Sequence, residues 1–221
     1  MSVAALPPAT TKPLLRGVSH KFAFFASLLL STLVVVWAPQ LAAKVASAVF
    51  GSTVALLFGT SALYHRIDWQ PKPRQRMRRL DHAAIFMLIA GGWTPLLALV
   101  PSESGSRASL YGMWAGAAVG VVKSILWPHA PKWVTAALCV GLGWAGIGAV
   151  VTRSAIIGSA GVAFIVCAGV LYSIGALVYA RKKPDPWPLV FGYHEIFHAL
   201  VVLATLCLYG HTILIIRATA G

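Results

Sequence analysis

Seven apolar runs divide this chain, and each has the length that carries a helix across a bilayer. They cover approximately residues 22–38, 45–64, 81–100, 110–127, 133–151, 154–180 and 191–216. A spanning helix needs roughly 17–25 apolar residues, each adding about 1.5 Å, to cross hydrocarbon about 30 Å thick. In lipid, every backbone N–H and C=O must find its partner inside the protein, and a helix does this within one segment. Only 10% of the 221 residues are charged and 58% are hydrophobic, whereas soluble domains carry about 25% charged residues. The expectation is an all-α polytopic membrane protein: a tail over residues 1–21, then a seven-transmembrane-helix bundle over 22–216. The tail is long for the leading region of a cleaved signal peptide, so the first run reads as a retained span.

The formal net charge is +13. No polar domain is large enough to spend that charge on nucleic acid, so it is read as an orienting signal. With the N-terminus inside, one face holds Lys12, Arg16, Lys21, the six bases from Arg66 to Arg79, Lys123, Lys132 and Arg181 to Lys183. That makes fourteen basic residues, against four (Lys44, Arg107, Arg153 and Arg217) on the other face. Positive loops stay inside, which predicts a cytoplasmic N-terminus and a C-terminus outside. Pro71 and Pro73 predict a loop before the third helix. Arg153 is read as lying in the short loop between runs five and six. Gly112, Gly116 and Gly120 form a small-residue stripe suited to close helix approach. Cys139, Cys167 and Cys207 show neither metal nor disulfide spacing.

One motif stands apart from the apolar pattern: His194-Glu195-Ile196-Phe197-His198, at the start of the last run. Positions i and i+4 of a helix share a face, so the two imidazoles point the same way. Ionisable residues inside membrane segments are costly and usually functional. The predicted orientation adds partners. His65 ends the second run, with Ser61 one turn deeper, and Asp81 begins the third. All fall at one depth, near the cytoplasmic surface. Three histidines plus an open position suit a zinc ion (Zn2+), and Asp81 could orient a ligand or a water. His82, about 100° round from Asp81, is not expected to face the same point. His20 is expected to anchor the first helix at the interface, and His129 to be solvated. His211 lies about 20 Å from His198 along the helix and is excluded from the site.

Arg16-Gly17-Val18-Ser19-His20, Ser61-Ala62-Leu63-Tyr64-His65, Asp81 and His194 to His198, in this order, resemble the hemolysin III family. That family is grouped with the progestin and adipoQ receptors, which include the adiponectin receptors. The resemblance implies seven helices, zinc held by His65, His194 and His198, and Asp81 in contact through water, with Ser61 nearby. The wider superfamily includes alkaline ceramidases, which implies hydrolysis of a lipid amide or ester, with the lipid substrate entering sideways from the membrane. The hemolysin name implies pore formation. A receptor or regulator of membrane state with structural zinc is a further reading. His194-Glu195-x-x-His198 also fits an intramembrane metalloprotease with Glu195 as base, although no separate deep carboxylate offers a third ligand. The expected partners are membrane lipids, and the expected location is the cell membrane, as a multi-pass protein of a bacterial inner membrane.

Overall fold

A computed structural model describes residues 12–101 and 107–220; most of the predicted tail and Glu103 lie outside them. The described chain is helical: α1 (Val18–Trp37), α2 (Leu41–Arg66), α3 (Pro71–Leu99), α4 (Ala108–Leu126), α5 (Lys132–Ala145), α6 (Ile147–Arg181) and α7 (Tyr193–Thr219). Among the described residues the β geometry is an isolated bridge between Trp187 and Phe191. Six stretches are long and apolar enough to cross a membrane, with α5 and α6 together forming one of them, Lys132–Arg181. The chain is a multi-pass, all-α membrane protein.

Two sequence expectations need correcting. The basic stretch after α2 is not a loop. α3 begins at Pro71, about ten residues before its apolar part. Proline is preorganised for the first helical turn, and the Lys, Arg, Gln and Met residues that follow are good helix formers. Likewise, Arg153 is not in a loop but inside α6 and buried. Its Nε donates to the Val100 carbonyl at 2.9 Å, which caps the end of α3.

The chain turns back further on. Gly158 has φ 68° and ψ 172°, a conformation open essentially to glycine alone. Trp144 Nε1 donates to Ser173 Oγ at 2.9 Å. A straight helix would hold these residues about 40 Å apart at 1.5 Å per residue, so α6 folds over at Gly158.

α3 sits at the centre, packed against α2, α4, α5 and α7. It is buried from Asp81 onward and runs unbroken through Gly91, Gly92 and Pro95. Part of the glycine stripe on α4 has its predicted use. A Cβ on Gly120 would lie 2.1 Å from the Phe86 ring, and one on Gly116 2.5 Å from Leu142 Cδ1, whereas Gly112 meets nothing. α1 is peripheral and buries only a stripe of His20, Ser27 and Val34. Leu28, Leu29, Val119 and Leu206 are among the large apolar side chains left on the outer surface, where lipid replaces a protein partner.

Candidate metal centre

Three imidazoles meet where α2 ends and α7 begins. His65 is next to the last residue of α2, and His194 and His198 occupy the first two turns of α7. Each offers a ligand atom, and these atoms lie within 4.8 Å of one another. His65 Nε2 and His194 Nε2 are 3.1 Å apart. Two nitrogens on a tetrahedral zinc ion, each about 2.0–2.1 Å from it, are separated by roughly 3.3–3.4 Å. The His65–His194 pair is therefore within about 0.3 Å of that spacing. Two further imidazole nitrogens, His198 Nδ1 and His20 Nε2, are buried without a hydrogen-bond partner. Nitrogen-rich, acid-poor and largely buried, this donor set fits a metal ion of zinc's type. Among the described residues these three histidines could hold an ion.

Asp81 stands at the edge of the cluster, its Oδ2 3.9 Å from His65 Nε2. That is beyond hydrogen-bond range. Ser61 is fully buried, but its hydroxyl pairs with His20 Nδ1 at 2.8 Å. His20 is the residue whose place sequence reasoning misjudged. It is not an interfacial anchor: it is 2% exposed and stacks on His198, with ring centroids 3.8 Å apart and planes 8° from parallel. Ser61 and His20 thus fix the orientation of His198 from behind. The available signal was depth, since His20 opens the first run at the level where His65 closes the second. His82 lines the adjoining cavity but stands outside the cluster. His129 is exposed and held by Gln75 and Arg78 of α3. His211 lies far along α7, where its Nδ1 pairs with the Gly161 carbonyl at 2.9 Å.

Glu195 turns away from the histidines. It is 3% exposed and forms an ion pair with Arg16, and its other oxygen accepts from the Gly192 N–H at 2.9 Å. A negative charge is favourable at a helix N-terminus, so this carboxylate is occupied with capping α7 and holding the chain before α1. That preceding segment crosses the histidine end of the bundle. Leu14 N–H and Leu15 N–H donate to Leu189 and Val190 carbonyls at 2.9 and 3.2 Å, and Lys12 pairs with Asp68 at 3.1 Å.

Gly17 brings this strap down onto the site. It has φ +76°, and a Cβ there would lie 2.6 Å from His65 Cβ. A non-glycine residue in the left-handed region costs about 1–2 kcal/mol before any clash. Gly17→Ala is therefore expected to lift the strap and weaken metal retention about tenfold, an effect the size of a lost supporting contact. Competition with a chelator of known affinity measures it; unchanged retention would mean the strap does not hold His65.

The histidine end opens into an elongated cavity bounded by α3, α5, α6 and α7. His20, Ser61, Asp81, His82, His194 and His198 line one end, and Ile89, Trp93, Cys139, Ile165, Val201 and Leu208 are among the apolar residues that follow. His198 and Leu208 are ten residues apart, so the cavity runs about 15 Å along α7. Asp81 is the one acidic residue among those that line it.

A family model described as "Haemolysin-III related" matches residues 9–209. The chain is similar to "Hemolysin-3 homolog" of Bacillus subtilis (strain 168), at 30% identity over 154 residues, covering 70% of this chain and 69% of that protein. It is also similar to "Hemolysin-3" of Bacillus cereus, at 29% identity over 181 residues, covering 81% of this chain and 78% of that protein. The family match spans His20, His65, His194 and His198, and this chain belongs to the hemolysin III family.

Proposed function

We propose that this protein is a zinc-dependent hydrolase of a lipid amide or ester, working from within the cell membrane. The observation that carries the reading is the continuity of the three-histidine cluster with an apolar cavity about 15 Å long. An acyl chain could lie among Ile89, Trp93, Val201 and Leu208 while its head reaches the histidines. His65, His194 and His198 would hold the ion. When bound, zinc supplies Lewis acidity: positive charge against a developing oxyanion, and a lower pKa for water nearby. Asp81 Oδ2 would accept a proton from the attacking water. Asp81 stands beside the ligand set, its Oδ2 3.9 Å from His65 Nε2. Ser61 Oγ and His20 would orient His198.

Membrane lipids are the proposed substrates, entering sideways. α5 walls the cavity with Ala136, Cys139, Val140 and Gly143, yet only Thr135 of that helix is fully buried, so it forms a thin partition toward lipid. The reversal at Gly158 turns α5 and α6 into two crossings, for seven in all. The fourteen-to-four division of basic residues supports a cytoplasmic N-terminus and histidine end, with the C-terminus outside. This reading is preferred to a single-chain pore because a water-filled passage needs polar groups along its length, and here they gather at one end. Glu195, committed to Arg16 and Gly192, makes a poor protease base.

The test is fatty-acid release from a ceramide-like amide and a matching ester by protein reconstituted in vesicles. Release is expected to stop on chelation and return with zinc. Release at full rate from metal-free protein, or none from any amide or ester, would leave zinc a structural role in a membrane receptor or regulator.

A further inference from the structure

Beside the cavity's polar end stand three cations that the proposed chemistry does not use. Lys132 opens α5, and its Nζ donates to Tyr193 Oη at 3.0 Å while lying 4.4 Å from the centroid of Tyr179 and 4.8 Å from that of Tyr193. Lys123, near the end of α4, donates to Thr135 Oγ1 at 2.5 Å. Arg78 lies one helical turn before His82, on the same face of α3, and reaches His129 Nδ1 at 3.4 Å. Thr135, Tyr179 and His82 all line the cavity. Each cation thus stands against the cavity wall: Lys123 on Thr135, one turn along α5 from Lys132, Lys132 over Tyr179, and Arg78 one turn before His82.

Lys72, Arg74 and Arg76 are exposed, as topology signals usually are, whereas Arg78, Lys123 and Lys132 are half-buried, as are Arg79 beside them and Arg16 in its ion pair. Among the described residues the ion pairs are Lys12–Asp68, Arg16–Glu195 and the His65–Asp81 approach, and none involves Arg78, Lys123 or Lys132. Their neutral partners orient them without cancelling charge. Like charges drawn together at the rim of a low-dielectric cavity repel, and long basic side chains near a membrane ordinarily extend outward to water instead. The arrangement is favourable when an anion sits between them.

We infer that Arg78, Lys123 and Lys132 form an anion-recognition site at the cavity mouth, and that the cavity's ligand is an acyl lipid whose head carries a carboxylate or phosphate. This rests on the reading that the cavity takes an acyl chain.

The test uses the full chain in neutral detergent, with Trp144 of the cavity wall as reporter. Probes are dibromostearate, the matching uncharged alcohol, and brominated lysophosphatidate beside lysophosphatidylcholine. Quenching of Trp144 is taken as the difference between the wild type and Trp144→Phe. The anionic probes are expected to bind about tenfold more tightly than their uncharged or zwitterionic counterparts, the scale of a charge-assisted contact at an interface. Lys123→Met with Lys132→Met should remove most of that preference and leave alcohol binding in place. Lys123→Arg with Lys132→Arg should retain it. Equal binding of acid and alcohol with Trp144 quenched would overturn the anion site but leave the acyl cavity standing. Quenching by no probe would overturn the cavity reading itself. Inorganic phosphate should displace the lipid probes only weakly, and full displacement would reassign the site to free anions.

Discussion

The His198→Ala protein is expected to leave purification essentially without zinc, where the wild type should carry about one ion per chain if the three-histidine cluster is filled. Removing a supporting group around a metal ligand typically weakens binding 10–100-fold, so the loss of a ligand should exceed about 100-fold. His65→Ala and His194→Ala should match it, because the three ligand atoms lie within 4.8 Å of one another and two nitrogens left alone hold the ion poorly. His20→Ala is the informative intermediate. It removes the ring stacked 3.8 Å from His198 but no ligand, and should cost within the 10–100-fold range. His129→Ala and His211→Ala should keep full occupancy, since both rings lie outside the cluster. Metal content per chain, measured beside helix content by circular dichroism, checks the series. Full zinc retention in a folded His198→Ala protein would overturn the site.

Asp81→Asn should keep most of the metal and lose turnover by about 10²–10⁴-fold, the usual scale for a positioned acid–base group. The asparagine retains the shape and the 9% exposure of the site but cannot take a proton at Oδ2. Glu195→Gln should do the reverse. Turnover per folded molecule should be nearly unchanged, while stability falls by about 1.5–3 kcal/mol, the scale of a hydrogen bond to a charged group. The structural cause is visible: Glu195 is buried between Arg16 and the Gly192 N–H, so its loss unpairs the strap and the α7 cap together. Amide hydrolysis and thermal unfolding, measured on the same preparations, separate the two effects. If Glu195→Gln abolished turnover and Asp81→Asn did not, the proton chemistry would belong to the other carboxylate.

The membrane class of this protein and its cluster of His65, His194 and His198 are legible in one dimension. Apolar runs of spanning length leave the backbone little but helix, and the i, i+4 spacing of His194 and His198 puts them on one face whatever surrounds them. His65 and Asp81 followed from depth alone. A chain that crosses repeatedly returns to the same level, and residues at equivalent ends of successive runs become candidates for contact.

Tertiary structure decided what depth cannot: direction around each helix axis, and competition for partners. Nothing in the sequence says that His20 faces His198 rather than headgroups, because that depends on how α1 is rotated against α2 and α7. Nor does it say that Ser61 is taken by His20 or that Glu195 is claimed by Arg16. Each is a choice among polar groups brought together only by packing. The turn after α5 misled for a related reason. Arg153 looked like a loop residue because a charge inside an apolar run is costly, but the carbonyl of Val100 on α3 receives it, leaving the reversal to Gly158. Hydropathy and periodicity are properties of one segment, so the sequence determined the helices and the level of the site. Rotation and pairing are properties of several segments at once, and only the folded bundle decided which side chains meet.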